Sequence, residues 1–473
     1  MTPLSFKKGI IIVPVLIFGA IAVLVTGALI YFAAALFKDS KVLGLREQAF
    51  QIAESGVDYY RWHLAHAPAD YQDGTGASGP YVHDYTDKDG TVIGQFTLTI
   101  TPPPIGSTVV KIKSKGTVTA NPSVARTLEV SLGIPSLARY AVVANDVMRF
   151  GDGTEIFGPV HSNNGIRFDG LAHNIVTSAK DKYVDPDNGS SFRYGVYTTL
   201  SPQDPSPPTA VPARADVFMA GRQFPVPAVD FVGMTTDLSQ MKTQATTDSR
   251  YFLASGSQGY LIVLKTNDTF DLYKVTSIKA PAGGCTNTAG QTGWGTWTIL
   301  NKTFIKNHTF PVHGVMFFED NIWVEGTIQT ARLTIAAGRF PDSPATRKSI
   351  TINKDLLYTY YDGQDSIGLV AQGDINTGLG SLDTMRIDAA LIAQNGRAGR
   401  YYYKSACGTG YNRTELTLYG MIATNLRYGF AYTDGTGYDA RNIIYDANLL
   451  YAPPPNFPLT SNLYSIQSWK EVK

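Results

Sequence analysis

Residues 9–37, GIIIVPVLIFGAIAVLVTGALIYFAAALF, carry no charged side chain. A helix rises about 1.5 Å per residue, so this run makes about 44 Å of apolar rod, more than the roughly 30 Å hydrocarbon core of a bilayer requires. Lys7 and Lys8 precede it without acidic neighbours, and Lys38, Asp39 and Lys41 follow it. That bias favours an N-terminus in the cytoplasm, with everything after Lys38 outside. A secretory signal peptide is the competing reading, with Ala33, Ala34 and Ala35 as its small residues, but such apolar cores span only about 7 to 15 residues. No second apolar run approaches this length. The expectation is a single-pass protein of the cytoplasmic (inner) membrane, with the lipid bilayer as a partner, an extracytoplasmic C-terminal region and Pro14 as the residue able to bend the span.

The helical pattern continues beyond the apolar run. In residues 40–66, Val42, Leu45, Ala49, Ile52, Ala53 and Val57 recur at helical spacing, with Arg46, Glu47, Gln48, Gln51 and Glu54 largely elsewhere around the axis. The two segments predict one helix, apolar over 10–37 and amphipathic over 38–67, that breaks near Pro68. Lys7, Lys8 and Gly9, then the apolar helix, then EQAFQIAESGVDYY resemble the N-termini of type IV pilin-like proteins, most closely PilX-type minor pilins and large type II secretion pseudopilins. The resemblance covers roughly residues 5–66. It implies cleavage after Gly9 by a prepilin peptidase, Ile10 as the mature first residue, and packing of the helix against other pilin-like subunits in a filament. The family commonly places glutamate five residues into the mature chain, where this sequence has Pro14, and an aromatic residue first, where it has Ile10.

After the helix, GQFTLTI, STVVKIKSKGTVTA and ARTLEVSL alternate apolar and polar side chains, separated by TPPPIG and NPSV. They predict a small antiparallel sheet over 92–134, packed on the distal helix. From Ala138 the strands become very short and are broken by glycine, asparagine and aspartate, as in YAVVANDVMRFGDGTEIFGPVHSNNGIRF, IGLVAQGDINTG and MRIDAALIAQNG. One short strand cannot bury its own face, but stacked coils bury a continuous core, which predicts a parallel β-helix over 138–450. An irregular β-sandwich is the alternative. In the β-helix, Ala336, Ala371, Ala389, Ala390 and Ala393 are expected inside crowded coils, and Asn163, Asn164, Asn376 and Asn395 at turns. Inserts are expected at 181–230 and 275–295, a helix over 232–250 capped by Thr235 or Thr236 with Leu238, Met241 and Ala245 on one face, and a C-terminal tail over 451–473. The fold class is therefore mainly β, with a basic leader over 1–9. VHSNNGI, GLVAQGDI, IDAALIAQNG, LYGMIA and IIYDANLLYAPPPNFP are similar to a pattern in large bacterial pilus-assembly-type proteins, which implies an envelope location.

The polar clusters each admit a chemical and a structural reading. His161, with Asp169 to orient it, has the proton affinity of a general base, but Ser162 follows it directly and points the other way on a strand, so a turn or core histidine is favoured. His313, in PVHGVMFF, repeats the local pattern of His161 and reads as shared geometry, because no third ligand at zinc spacing accompanies the pair. Asp185, Asp187 and Asn188 supply oxygens suited to calcium without the later glutamate of an EF-hand loop. Asp374, Asp383 and Asp388 are the carboxylates a glycan-cleaving solenoid would have to bring together. Cys285 and Cys407 suit a disulfide in an extracytoplasmic segment, with two unpaired thiols as the alternative. Tyr59, Tyr60, Trp62, Tyr358, Tyr360, Tyr361 and Tyr401, Tyr402 and Tyr403 suit partner or glycan contacts if exposed and core packing if buried.

Forty basic and 39 acidic side chains give a formal charge of +1, so no broad positive field argues for nucleic acid. The expectation is a non-enzymatic component of a type IV pilus-like or type II secretion-like filament, structural or adhesive. Neither cofactor nor metal is expected, and a surface or glycan is its possible ligand. A cell-surface β-helix polysaccharide lyase or hydrolase is the alternative.

Overall fold

The computed structural model describes residues 12–103, 107–134, 136–231, 234–450, 452–459 and 463–472, with backbone only for 234–237. Gly9 and Ile10 lie outside the described residues. The protein is mainly β, with one long N-terminal helix, a small antiparallel sheet and a large parallel one. It divides into two compact units, the first holding the helix and small sheet, the second the parallel coils.

The helix α1 (Ile12–His66) passes Pro14 in its first described turn and runs unbroken to the residues before Pro68, whose ring disfavours helical geometry in the residue ahead of it. Residues 12–41 are exposed on every side. Further along, Ala49, Ile52, Ala53, Gly56, Val57, Tyr60 and Leu64 are buried, one stripe at three- and four-residue spacing. That stripe lies on a meander of β1 (Tyr81–Thr86), β2 (Val92–Thr101), β3 (Val110–Val118) and β4 (Asn121–Gly133), each antiparallel to the next. In β3, Val110, Ile112, Ser114, Gly116 and Val118 face inward while Lys111, Lys113 and Lys115 face out, the two-residue period of a half-covered sheet.

Small residues set how closely helix and sheet approach. A Cβ on Gly116 would lie 2.1 Å from the Ala49 carbonyl oxygen and 2.5 Å from the Ala53 nitrogen, and one on Gly56 would lie 2.4 Å from Ser114 Oγ. The sheet extends beyond 92–134 at both ends. β1 precedes it, and Ser465–Val472, expected as tail, is a strand beside β4. Trp469 meets Phe50 edge-on at 5.6 Å, Lys470 Nζ lies 2.9 Å from Glu129 Oε1, and Arg126 pairs with Glu471. These partners are more than 300 residues apart in sequence for Arg126 and Glu471, a separation no local pattern conveys. Gly116→Ala should force the helix off the sheet and lower unfolding stability by about 1–3 kcal/mol, read by thermal or denaturant unfolding of the full chain. An unchanged unfolding midpoint would show that the seam yields without cost.

The second unit is a solenoid whose coils wind past three faces, with some strands, such as Thr384–Ala393, serving two of them. Its first coils are plain in sequence: Val142–Ala144, Met148–Phe150 and Thr154–Phe157, then Val160–Ser162, Ile166–Phe168 and Leu171–Ala172, joined by turns containing Asn, Asp and Gly. Inward residues such as Met148, Phe150, Ile156, Ile166 and Phe168 form one continuous core with Ile335, Leu369, Leu391 and Ile422 of later coils. The expected insert over 181–230 is partly solenoid. Val196–Tyr197 pairs in parallel with Ile166–Phe168, and Arg222–Gln223 with Val176–Ser178, while the hairpin of Lys182–Val184 and Phe192–Tyr194 forms a two-stranded sheet of its own and most of 198–221 is loop. At 275–295, the first residues still belong to the strand Thr269–Ile278, and the loop proper leads to Ile299–Thr309.

Coil order in space differs from coil order in sequence. On the first face the parallel ladder runs from Tyr251–Phe252 through Val315–Phe318, Arg332–Ala337, Ser366–Ala371, Thr384–Ala393 and Asn412–Thr424. Its next strand is Val142–Ala144, followed by Val160–Ser162, Val176–Ser178 and Arg222–Gln223. The solenoid therefore consists of two runs, the later one stacked before the earlier one, and residues 224–231 and 234–250 lie in the chain between their far ends. That segment contains α2 (Met234–Thr247), and Phe231, Leu238, Met241 and Ala245 cover the outer side of the first face over Val143, Phe317, Ala336, Ala390 and Ala423.

Two expectations change here. Ala336 and Ala390 are buried beneath this return segment, outside the coil core that holds Ala371, Ala389 and Ala393. Thr235 and Thr236 lie within the α2 backbone instead of ahead of it, and their side chains fall outside the described residues.

Candidate functional site

The junction between the two runs is sealed on two faces. On the first, Ile422, Ala423 and Thr424 pair with Val142, Val143 and Ala144. At the neighbouring corner Asn163 Nδ2 donates to Asn145 Oδ1 at 2.9 Å and Asn145 Nδ2 to Asn425 Oδ1 at 3.0 Å, an amide ladder across the seam. On the third face, Arg441 to Ile444 pair with Thr154 to Phe157. On the second face the ladder stops. Gly429 bridges Gly399 of its own run, whereas Met148–Phe150 pairs only with Ile166–Phe168 among the described residues. After Phe430 the chain turns back on itself, with Tyr432 N donating to the Thr436 oxygen at 2.9 Å and Tyr438 N to the Phe430 oxygen at 3.0 Å.

A cleft of about 640 Å³ occupies this interruption, lined by four arginines and three aspartates as well as aromatic residues. Two arginines are spent on its walls. Arg441 donates to the carbonyl oxygens of Tyr438 (2.8 Å), Asp439 (2.5 Å) and Asp152 (2.6 Å) and to Thr154 Oγ1 (2.9 Å), joining the start of Gly437–Tyr445 to residues 152–154 of the other run. Arg397 donates to the oxygens of Arg400 and Gly429 and to the Tyr432 hydroxyl. The other two, Arg149 from the first run and Arg427 from the second, converge on Asp187, which is carried by the turn of the projecting hairpin. Arg427 beside it holds the Asp187 carboxyl below the usual carboxylate range.

Cys285 and Cys407 form a disulfide that anchors the loop after Thr269–Ile278. Gln291 in that loop accepts from Tyr402 N at 2.7 Å and donates to the Tyr432 hydroxyl at 2.7 Å, so the loop braces one wall of the cleft. Cys285, Tyr401, Tyr403 and Cys407 share a small apolar cluster beneath it.

The other sequence candidates have structural partners. His161 is fully buried, its Nδ1 3.0 Å from Thr177 Oγ1 and its Nε2 3.1 Å from Asn163 Oδ1. Asp169 is occupied elsewhere, by Arg167 at 2.6 Å and by the Thr199 amide at 2.7 Å. His313 pairs with Asp248 at 2.6 Å. Asp185 accepts from the Tyr197 hydroxyl and from the Asp187 amide, and Asn188 donates to Tyr197. Asp374 takes the Tyr401 hydroxyl and the Arg397 amide, Asp383 the Thr414 hydroxyl, and buried Asp388 the Tyr361 hydroxyl and Arg386, so the three share none of these partners. Asn163, Asn164 and Asn395 sit at turns, whereas Asn376 lies within Ile375–Thr377 and its side-chain oxygen accepts from Thr351. Tyr60, Tyr358, Tyr401 and Tyr403 are buried, while Trp62, Tyr360 and Tyr361 are exposed.

No protein-family model matches the chain, and no curated protein matches it. Among solved structures, the crystal structure of the competence-associated pilin ComZ from Thermus thermophilus aligns over 90% of this chain and 98% of that one, at 12% identity and a TM-score of 0.27. A shared fold is not read from a likeness this low.

Burial of His161 lowers its proton affinity, aided by nearby Arg139. Its folded pKa lies below the unfolded value of about 6.5, so the unfolded chain protonates first as the pH falls and stability is lost on acidification. The melting temperature should be lower at pH 5 than at pH 7.5, and His161→Gln should shrink that difference; an equal difference in both proteins would exclude the histidine as its source. Cys407→Ser should lower stability by up to about 4–5 kcal/mol on the chain-entropy estimate. It should also open the loop between Ile278 and Ile299 to limited proteolysis, and an unchanged digestion pattern would show that Gln291 and its neighbours hold the loop alone.

Proposed function

We propose that the chain is a subunit of a type IV pilus-like or type II secretion-like filament, anchored and assembled through α1, with its solenoid displayed outside the membrane. The carrying observation is that one continuous helix is bare and apolar through its membrane-length part and becomes the packed core of a β-sheet unit further on. A signal peptide cut near Ala35 would sever this helix, whereas an anchor uses both halves at once. The bare part offers an apolar rod to lipid before assembly and to the helices of neighbouring subunits after it. Cleavage between Gly9 and Ile10 belongs to this reading, and Pro14, standing where the family commonly carries glutamate, makes its processing the feature most open to test.

The solenoid fits display, in a structural or adhesive role. Its polar clusters are engaged in turns, ladders and ion pairs, and Asp374, Asp383 and Asp388, the carboxylates a hydrolase or lyase would need, each satisfy a different part of the coil framework. N-terminal sequencing of the membrane-bound protein should give a chain beginning at Ile10, and the same chain should appear in sheared filament preparations. Leu24→Asp, in the bare part of α1, should abolish recovery from filaments while leaving the folded β units protease-resistant. A chain beginning at Met1 and absent from filaments would overturn the assembly reading and leave a tethered surface domain.

A further inference from the structure

The junction cleft exists because the two runs fail to pair on one face, and its chemistry is not exhausted by holding them together. Arg441 and Arg397 are consumed by carbonyl oxygens, but Arg149 and Arg427 reach in from opposite runs and meet over a single carboxylate. One Asp187 oxygen serves both, from Arg149 Nη1 at 3.5 Å and from Arg427 Nη2. A guanidinium carries five N–H donors, so the pair keeps donors to spare. Asp187 does not belong to the coil framework. It sits exposed in the turn of the projecting hairpin, with its amide tied to Asp185 at 2.8 Å.

We infer that the cleft binds the carboxylate of an acidic sugar, and that Asp187 occupies the place of that carboxylate until the sugar arrives. Two guanidiniums from opposite banks aim donors at one carboxylate, here through a single Asp187 oxygen, and charge-assisted bonds of this kind are the strong ones. Four arginines against three aspartates leave one net positive charge around the cleft with Asp187 in place and two once it is displaced. Asp152, also in the lining, offers an acceptor for sugar hydroxyls and Thr433 a hydroxyl, while Asp439 is engaged by Asn412 and Thr436 by Asp434. The volume falls within the range of small-molecule sites. The site lies within the solenoid and does not depend on filament assembly.

Calorimetric titration of the full-length protein in detergent micelles tests this, with a galacturonic acid trimer, a neutral galactose trimer and inorganic phosphate as probes. The uronate trimer should bind at least tenfold more tightly than either other probe. Asp187→Asn, which removes the competing charge, should tighten uronate binding about fivefold, and Arg427→Gln or Arg149→Gln should weaken it tenfold or more. Melting curves identify any variant that fails to fold, and the gain in Asp187→Asn remains decisive if an arginine variant is lost. Absence of uronate binding in both wild type and Asp187→Asn overturns the assignment, as does phosphate or the neutral trimer binding equally well. Weaker binding in Asp187→Asn together with a lower melting temperature would make the triad a structural clamp only and also overturn it.

Discussion

The solenoid depends on one parallel pairing, between the end of Asn412–Thr424 and Val142–Ala144. A β-helix run has an open edge at each end, and here the open edge of the later run meets that of the earlier one. Closing this pair converts four edges into two, which lie at the far ends of the stack. It also brings chain entry and exit together. Ser136 Oγ donates to the Leu449 oxygen at 3.0 Å, and Leu137 N to the Pro458 oxygen at 3.0 Å. A solenoid that begins and ends at its middle can be placed in sequence between two strands of another sheet, as this one is between β4 and Ser465–Val472.

The cleft follows from the same arrangement. Two of three faces continue across the seam, and the third gives up its ladder where the chain turns after Phe430. Backbone oxygens released by that turn need donors, because a buried carbonyl without a partner is costly. Arginine suits the task, since one guanidinium can reach several oxygens at once, as Arg397 does with those of Arg400 and Gly429. The abundance of guanidinium groups at the cleft is in part a repair of broken pairing, and the two that the repair leaves over are those that meet Asp187.

Features carried by short-range periodicity were legible in the sequence. The three- and four-residue spacing of Ala49, Ile52, Ala53 and Val57, the alternation in β3 and the glycine-punctuated coils from Val142 to Ala172 each appear where the residues predict them. Features that depend on distant partners were not. The tail over 451–473 holds a strand whose partner is the distant β4, and 181–230 reads as an insert because proline-rich loops interrupt a coil that still contributes Val196–Tyr197 and Arg222–Gln223. The size of Ala390 suits the coil interior, but composition does not record its side of the strand. For the cleft, the only sequence signal was arginine beside glycine and aspartate, as in MRFGDG and NLRYGF, which is too common to identify a site.

The return segment that carries α2 bears on how the chain reaches this structure. Asn145 and its ladder partner Asn425 are 280 residues apart, and every coil of the later run is made between them. During synthesis the first coils emerge with their entry edge uncovered and stay so until the last coil arrives. Contacts of such high sequence separation are slow to form, and an uncovered strand edge invites pairing with the wrong chain while it waits. The fold therefore exposes its most vulnerable surface while 280 of its 473 residues are being made.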